Sequence, residues 1–166
     1  METSKGPIVV QFNRDWAPNG VDRIYHLVEA GYYDDVRFFR VMPGFVVQFG
    51  MHGDPKTNAE WVARPLQDDP VKQSNKRGTV TFAQTPMPNS RTTQLFINLA
   101  DNSMLDEQRF APIGTVVEGM SVVDKLYSGY GGSPSDFQPL IADSGNIFLN
   151  RAYPKLDFIR TARVVK

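Results

Sequence analysis

The sequence predicts a mainly β domain, an antiparallel sandwich or barrel with the closed barrel preferred, on three observations. Six short runs rich in Val, Ile, Phe and Thr, and bounded by Gly, Pro or Asn, recur along the chain: PIVVQFN (7–13), FVVQF (45–49), TVTFA (79–83), QLFINL (94–99), IGTVV (113–117) and the tail FIRTARVV (158–165). Only two stretches carry strong helical spacing. Turn residues separate the strands, and closing a sheet removes the exposed edges that such strands would otherwise present.

Taken in order, PIVVQFN reads as the first full strand. In GVDRIYHLVEAG (20–31), Val21, Ile24, Leu27 and Val28 fall on one helical face, and Gly31 is placed to end the helix. In MSVVDKLYSG (120–129), Val122, Val123 and Leu126 repeat that spacing before Gly129. The Pro-, Gly-, Asp-, Asn- and Ser-rich segments 51–77 and 128–155 read as loops, where sites concentrate. Within the second, the part of SGNIFLNRAYP before Pro154 reads as a short amphipathic helix that packs Ile147, Phe148 and Tyr153 on the barrel ahead of the last strand.

A chain of 166 residues is the size of one domain, here residues 1–166, and is long enough to bury a core without staples. Basic and acidic residues balance at 18 each, so no cationic surplus exists for a phosphate backbone and nucleic acid is not the expected partner. The absence of cysteine excludes thiol catalysis, Cys-ligated zinc and disulfides, while leaving cytoplasmic and exported settings both open. No run approaches the roughly 20 apolar residues of a membrane helix, so a soluble protein without a membrane partner is expected.

Several familiar chemistries lack their residues. The two histidines are His26, in the first helical pattern, and His52, in the loop MHGDP; a solvated helix face and loop hydrogen bonding account for them. The pairs Asp34-Asp35 and Asp68-Asp69 sit beside turns, where Asp commonly bonds backbone. GYGGSPSD (129–136) is glycine-rich but misses both phosphate-loop spacings and reads as a flexible loop. Two histidines and scattered carboxylates provide no metal-ligand spacing, so no metal is expected.

The stretch FFRVMPGFVVQFG (38–50) is different, because Arg40 and Gln48 interrupt an apolar strand pair. Alternation places Val46 with Gln48 on one side of FVVQF, and Gln94, Phe96 and Asn98 together on one side of TTQLFINL. Outward-facing residues of ordinary strands would look the same. The residues also carry a resemblance. FFRVMPGFVVQFG, GTVTFAQ, QLFIN, SMLD and IGTVVEGMSVVDKL, in that order, resemble the cyclophilin peptidyl-prolyl isomerases, with F-H-R-V-x-x-G-F-x-x-Q-G-G, G-x-x-S-M-A-N, S-Q-F-F-I, W-L-D and F-G-x-V-x-x-G-M-x-V-V.

The resemblance implies an eight-stranded antiparallel barrel capped by two helices, and an enzyme that rotates X-Pro bonds in proline-containing peptides and unfolded clients without a cofactor, assisting folding. It implies Arg40 as the catalytic arginine with Gln48 beside it, and Gln94 ordering the site. Phe45, Val46, Phe96 and Leu105 would line the proline pocket, and Ala83 and Gln84 the groove for the peptide backbone. This sequence departs from the pattern at Met104, which replaces a tryptophan, at Gln84, which replaces an asparagine, and in QTPMPNSRTTQ, which replaces a glycine-rich loop. DEQRFAPIG is one residue longer than its counterpart, putting Phe110, or as second choice Arg109, at the pocket histidine. Weak cyclosporin binding is expected, since Met104 lacks the indole N–H. Met104 and Phe110 motivate the alternative of a binding module with little turnover. The tail resembles bacterial members of the family, many of them exported, and nothing points beyond a monomer.

Overall fold

The computed structural model describes residues 1–165. Its strands are β1 (Glu2–Thr3), β2 (Gly6–Pro7), β3 (Val9–Phe12), β4 (Arg40–Met42), β5 (Val46–Phe49), β6 (Thr79–Phe82), β7 (Leu95–Asn98), β8 (Pro112–Glu118) and β9 (Ile159–Thr161). Six of them form one antiparallel sheet in the order β3-β8-β6-β7-β5-β4, and the rest a small sheet in the order β2-β1-β9. The two are stitched where the chain entering β4 runs beside β9: the Phe38 amide donates to the Asp157 carbonyl at 3.0 Å and the Ile159 amide to the Val36 carbonyl at 2.9 Å.

All strands expected from the apolar runs form, METS supplies β1, and the fold is mainly β. The closed eight-stranded barrel is not what the structure contains. It has nine strands, and the outer edge of β3 meets no strand among the described residues. An apolar cleft of about 620 Å³ opens there, between β3, Val21, Ile24 and Val28 of the first helix, and Ala162 to Val165. The apolar runs report which segments are extended, whereas closure depends on edge pairing between strands remote in sequence.

Helix α1 (Pro18–Glu29) buries Ile24 and Leu27 on the sheet with Val21 and Val28 at the margin, as its spacing predicts, and Gly31 follows it at φ 69°. Proline at its start costs no hydrogen bond, because the first amides of a helix have no intrahelical partner. Its cap comes from far away: the Asp69 carboxylate accepts from the Asn19 amide at 3.1 Å and the Gly20 amide at 2.9 Å. Asp69 also pairs with the buried Arg91 at 3.0 Å. The Asp68-Asp69 pair thus serves long-range structure rather than a local turn.

Segment 51–77, expected to be a loop, contains a helix, and in 128–155 the helix expected before Pro154 begins earlier than its pattern shows. Helix α2 (Pro55–Val62) starts from Asp54, whose carboxylate accepts from the Thr57 hydroxyl at 2.8 Å. Helix α3 (Met120–Asp124) is shorter than its pattern suggests; it buries Val123, and Leu126 is buried just past its end. GYGGSPSD is not a flexible loop: it runs into a 3-10 turn, Ser133–Phe137, and is docked on β4, with the Gly131 carbonyl accepting from the Val41 amide at 3.3 Å. Helix α4 (Gln138–Ala152) follows directly and bends at Gly145, whose φ of 56° suits a residue without Cβ. It packs Ile141 and Leu149 with Phe39, Met51 and Leu156, and Phe148 and Tyr153 join that cluster as expected. Ile147 does not, being 76% exposed.

Candidate active site

Cross-strand register assembles the site. Arg40 lies opposite Gln48 in the β4-β5 ladder, Gln48 opposite Phe96 in β5-β7, and Phe96 opposite Thr81 in β6-β7. Directly paired residues share a face, so Arg40, Gln48 and Phe96 stand in one row across three strands. Val41, Val47, Leu95 and Ile97 alternate to the other face and fill the main core. The greasy strands therefore serve two surfaces. Over the row of polar groups lies a separate apolar cluster, with Val46, Phe96 and Leu105 buried and Phe45, Ala83 and Phe110 packed against them.

Between these groups lies a cleft of about 150 Å³ lined by Arg40, Phe45, Val46, Gln48, Ala83, Gln84, Phe96, Leu105 and Phe110. Nine of the eleven residues expected at the site line it. Gln94 stands behind the wall: Arg40 Nη1 donates to Gln48 Oε1 at 3.1 Å, and Gln48 Nε2 donates to Gln94 Oε1 at 2.8 Å. Met104 is 55% exposed on the 3-10 segment Ser103–Gln108 and does not line the cleft.

The one-residue-longer segment resolves in favour of Phe110. Its ring meets Phe96 edge-on, with centroids 5.6 Å apart. Arg109, at φ 70°, turns outward to the Pro86 carbonyl at 3.1 Å and Asp68 at 3.3 Å. Gln84 Nε2 donates to the Gln108 carbonyl at 3.1 Å, tying the groove wall to the segment that carries Leu105. His26 is exposed, and His52 Nδ1 accepts from the Asp54 amide at 2.9 Å, as expected of a loop residue. Among the described residues no three His, Cys, Asp or Glu side chains are grouped to hold a metal ion.

This arrangement has counterparts. The family model described as cyclophilin-type peptidyl-prolyl cis-trans isomerase matches residues 1–142. The chain belongs to the cyclophilin-type peptidyl-prolyl cis-trans isomerases. Peptidyl-prolyl cis-trans isomerase A of Dickeya dadantii is 39% identical over 137 residues, covering 76% of this chain and 68% of that protein. A crystal structure of a Cryptosporidium parvum cyclophilin-type isomerase matches with a TM-score of 0.71 at 17% identity, covering 97% of this chain and 92% of that one. The crystal structure of that isomerase in the presence of the dipeptide Ala-Pro gives 0.64 at 20% identity, covering 75% and 83%.

What sequence reading missed in this cyclophilin is the buried polar scaffold beneath the cleft. Asn75 Oδ1 accepts from the Thr81 hydroxyl at 2.8 Å and from Asn98 Nδ2 at 3.2 Å, while Asn75 Nδ2 donates to the Phe110 carbonyl at 3.0 Å. Asn102 Nδ2 holds the Phe45 carbonyl at 3.0 Å. Asn98, on the same strand face as Phe96, was the one visible signal; Asn75 lies in a polar stretch that offers none. Asp106 closes the network, accepting from the Ser74 hydroxyl at 2.6 Å and Asn75 Nδ2 at 2.7 Å. Burial works to raise the Asp106 carboxyl, but the hydrogen bonds from Ser74 and Asn75 outweigh it and hold it below the usual carboxylate range. A depressed value means that the stabilisation is fully present above the ordinary carboxylate pKa, about 4, and is lost as pH falls through the lower folded value. Acidification across that window is expected to loosen the segment carrying Leu105 and Phe110, followed by Leu105 methyl shifts, and Asp106→Asn to remove this acid step. Identical acid profiles for parent and variant would contradict it.

Proposed function

We propose that this cyclophilin rotates X-Pro bonds with the proline ring seated among Phe45, Phe96, Leu105 and Phe110, and with Arg40 as the catalytic group. The supporting observation is how Arg40 is held. Among the described residues its guanidinium donates one hydrogen bond, to Gln48, at the edge of an apolar cleft, so other N–H groups remain for a substrate. At about 150 Å³ the cleft suits one small ring, well below the several hundred Å³ of drug-sized sites.

The chemistry follows from the bond. Resonance makes the C–N bond partly double and sets a barrier of roughly 20 kcal/mol. No covalent bond has to break. In the planar ground state the proline nitrogen's lone pair is delocalised; at the twisted transition state it is localised and accepts a hydrogen bond. A guanidinium N–H placed there stabilises the transition state more than the substrate, which is what lowers a barrier. The apolar walls anchor the ring and suit an amide that has lost charge separation. Gln48, fixed by Gln94, keeps the guanidinium at one edge, while Ala83 and Gln84 border the groove for the peptide backbone.

In this reading the whole chain acts as a single, monomeric domain on proline-containing segments and unfolded clients, needing neither cofactor nor metal. The even charge balance argues against nucleic acid as a partner. Of the two features behind the binding-only alternative, Met104 lies outside the cleft and Phe110 completes its apolar wall, so neither displaces Arg40. Activity is tested by magnetisation-transfer NMR on an X-Pro tetrapeptide: enhanced exchange supports the reading, and exchange no faster than in buffer from well-folded protein overturns it.

Cyclosporin binding is expected to be weak, because Met104 presents a thioether where an indole N–H would donate. Met104→Trp is expected to tighten it by about tenfold, the worth of one recovered hydrogen bond of roughly 1.4 kcal/mol. Submicromolar affinity of the parent by calorimetry would refute the assignment.

A further inference from the structure

The hydrogen-bond row that holds Arg40 does not stop at Gln94. Gln94 Nε2 donates to Gln138 Oε1 at 3.3 Å. Gln138 is the first residue of α4, half-buried, and the chain leading into that helix is docked on β4, the strand that carries Arg40. The Gly131 carbonyl accepts from the Val41 amide, Ile141 and Leu149 pack with Phe39, and Gly132 lies against Met42.

From this geometry we infer that Gln138 is a positioning residue for Arg40, terminating a one-way relay Arg40, Gln48, Gln94, Gln138 that fixes the guanidinium over the cleft. The direction follows from donor chemistry. A guanidinium only donates, so Gln48 must turn its oxygen to Arg40 and its NH₂ to Gln94. Gln94 then turns its oxygen to Gln48 and its NH₂ outward, and an acceptor is required at residue 138. Without that acceptor, the Gln94 amide can flip and offer NH₂ to Gln48, which breaks the pattern back to Arg40. An outward-facing pair of side chains would impose no such polarity. The inference rests on Arg40 as the group that acts on the substrate.

The polarity gives a test that a merely space-filling role would not pass. Gln138→Leu removes the acceptor at similar volume, Gln138→Lys offers only donors, and Gln138→Glu keeps an acceptor. Leu and Lys are expected to lower kcat about fivefold, the worth of one hydrogen bond of ordinary strength, with KM for an X-Pro tetrapeptide and thermal midpoint little changed. Glu is expected to stay within about twofold of the parent, since its carboxylate still accepts. In parallel, the Arg40 Nε–H relaxation is read by NMR, and its order is expected to fall in Leu and Lys but not in Glu. Parent-like kcat and Arg40 order in Gln138→Leu, or an equal loss in Glu and Leu, would overturn the relay. Failure of the Arg40 assignment would look different: Arg40→Ala would remain active whatever the Gln138 variants do to Arg40 order.

Discussion

Arg40→Ala is expected to lower kcat/KM for an X-Pro tetrapeptide about a hundredfold, the loss that follows removal of one donor aimed at charge developing in a transition state. The expectation depends on timing. The proline nitrogen accepts a hydrogen bond only when the amide is twisted, so removing the donor costs the transition state and spares the planar substrate. Peptide binding in the variant is therefore expected to change far less than the rate, since Phe45, Phe96, Leu105 and Phe110 still form the ring pocket. Arg40→Lys should recover little, because a single ammonium cannot both donate to Gln48 Oε1 and keep a planar fork over the cleft. Gln48 is 8% exposed, so truncating Arg40 leaves a nearly buried amide oxygen without its donor, and a small stability loss accompanies the kinetic one. A coupled-protease assay measures the rate, and a variant within twofold of the parent would remove Arg40 from the mechanism.

Asp69→Ala is expected to be strongly destabilising, by roughly 3 kcal/mol, because it takes from the buried Arg91 guanidinium its hydrogen-bonded carboxylate and leaves it only Asp68 Oδ1, 3.7 Å from Nε. The side chains of Asp69 and Arg91 are each only 2% exposed and meet at 3.0 Å. The same carboxylate caps the Asn19 and Gly20 amides, so its removal also strips the start of α1. Arg91 keeps a weaker ion pair, Nε to Asp68 Oδ1 at 3.7 Å, beyond hydrogen-bonding reach. Its Nη2 also donates to the Gln67 carbonyl at 2.6 Å, while Nε and Nη1 have no hydrogen-bond partner among the described residues. Urea unfolding reads the loss directly. Replacing both members, Asp69→Ala with Arg91→Met, should recover a large part of it, since much of the penalty arises from a buried charge that has lost its hydrogen-bonded partner. A double variant as unstable as Asp69→Ala alone would assign the loss to the helix cap instead.

These two sites differ in how legible they were in the sequence. Arg40, Phe45, Gln48, Gln94, Phe96 and Leu105 sit at spacings that the family resemblance fixes, and strand alternation alone already puts Gln48 and Phe96 on definable faces. Phe110 was legible only up to an insertion; the αL turn at Arg109 settles it by sending that side chain toward Asp68 and Pro86. Asp69 was read as turn chemistry because its partners, Asn19, Gly20 and Arg91, lie in other segments of the chain, where local pattern has no reach. Helix α2 had a local signal that composition masked: Asp54, Pro55 and Thr57 form a cap and a first turn inside a stretch rich in polar residues. In α4, Gly145 interrupts the helical period, so only the half after the bend was visible, and with the other half went Gln138. Closure of the barrel was the least legible feature, because the register and edges of β1, β3 and β9 are set by contacts across the whole chain.

The central claim is that Arg40 acts on the rotating bond rather than on peptide capture, and exchange NMR at saturating peptide tests it most directly, since cis–trans exchange of the bound peptide is read apart from affinity. The account predicts that Arg40→Ala binds the X-Pro peptide within a few-fold of the parent while exchange within the complex slows about a hundredfold. Equal exchange rates in the two complexes, or a rate lost only in proportion to affinity, would contradict it.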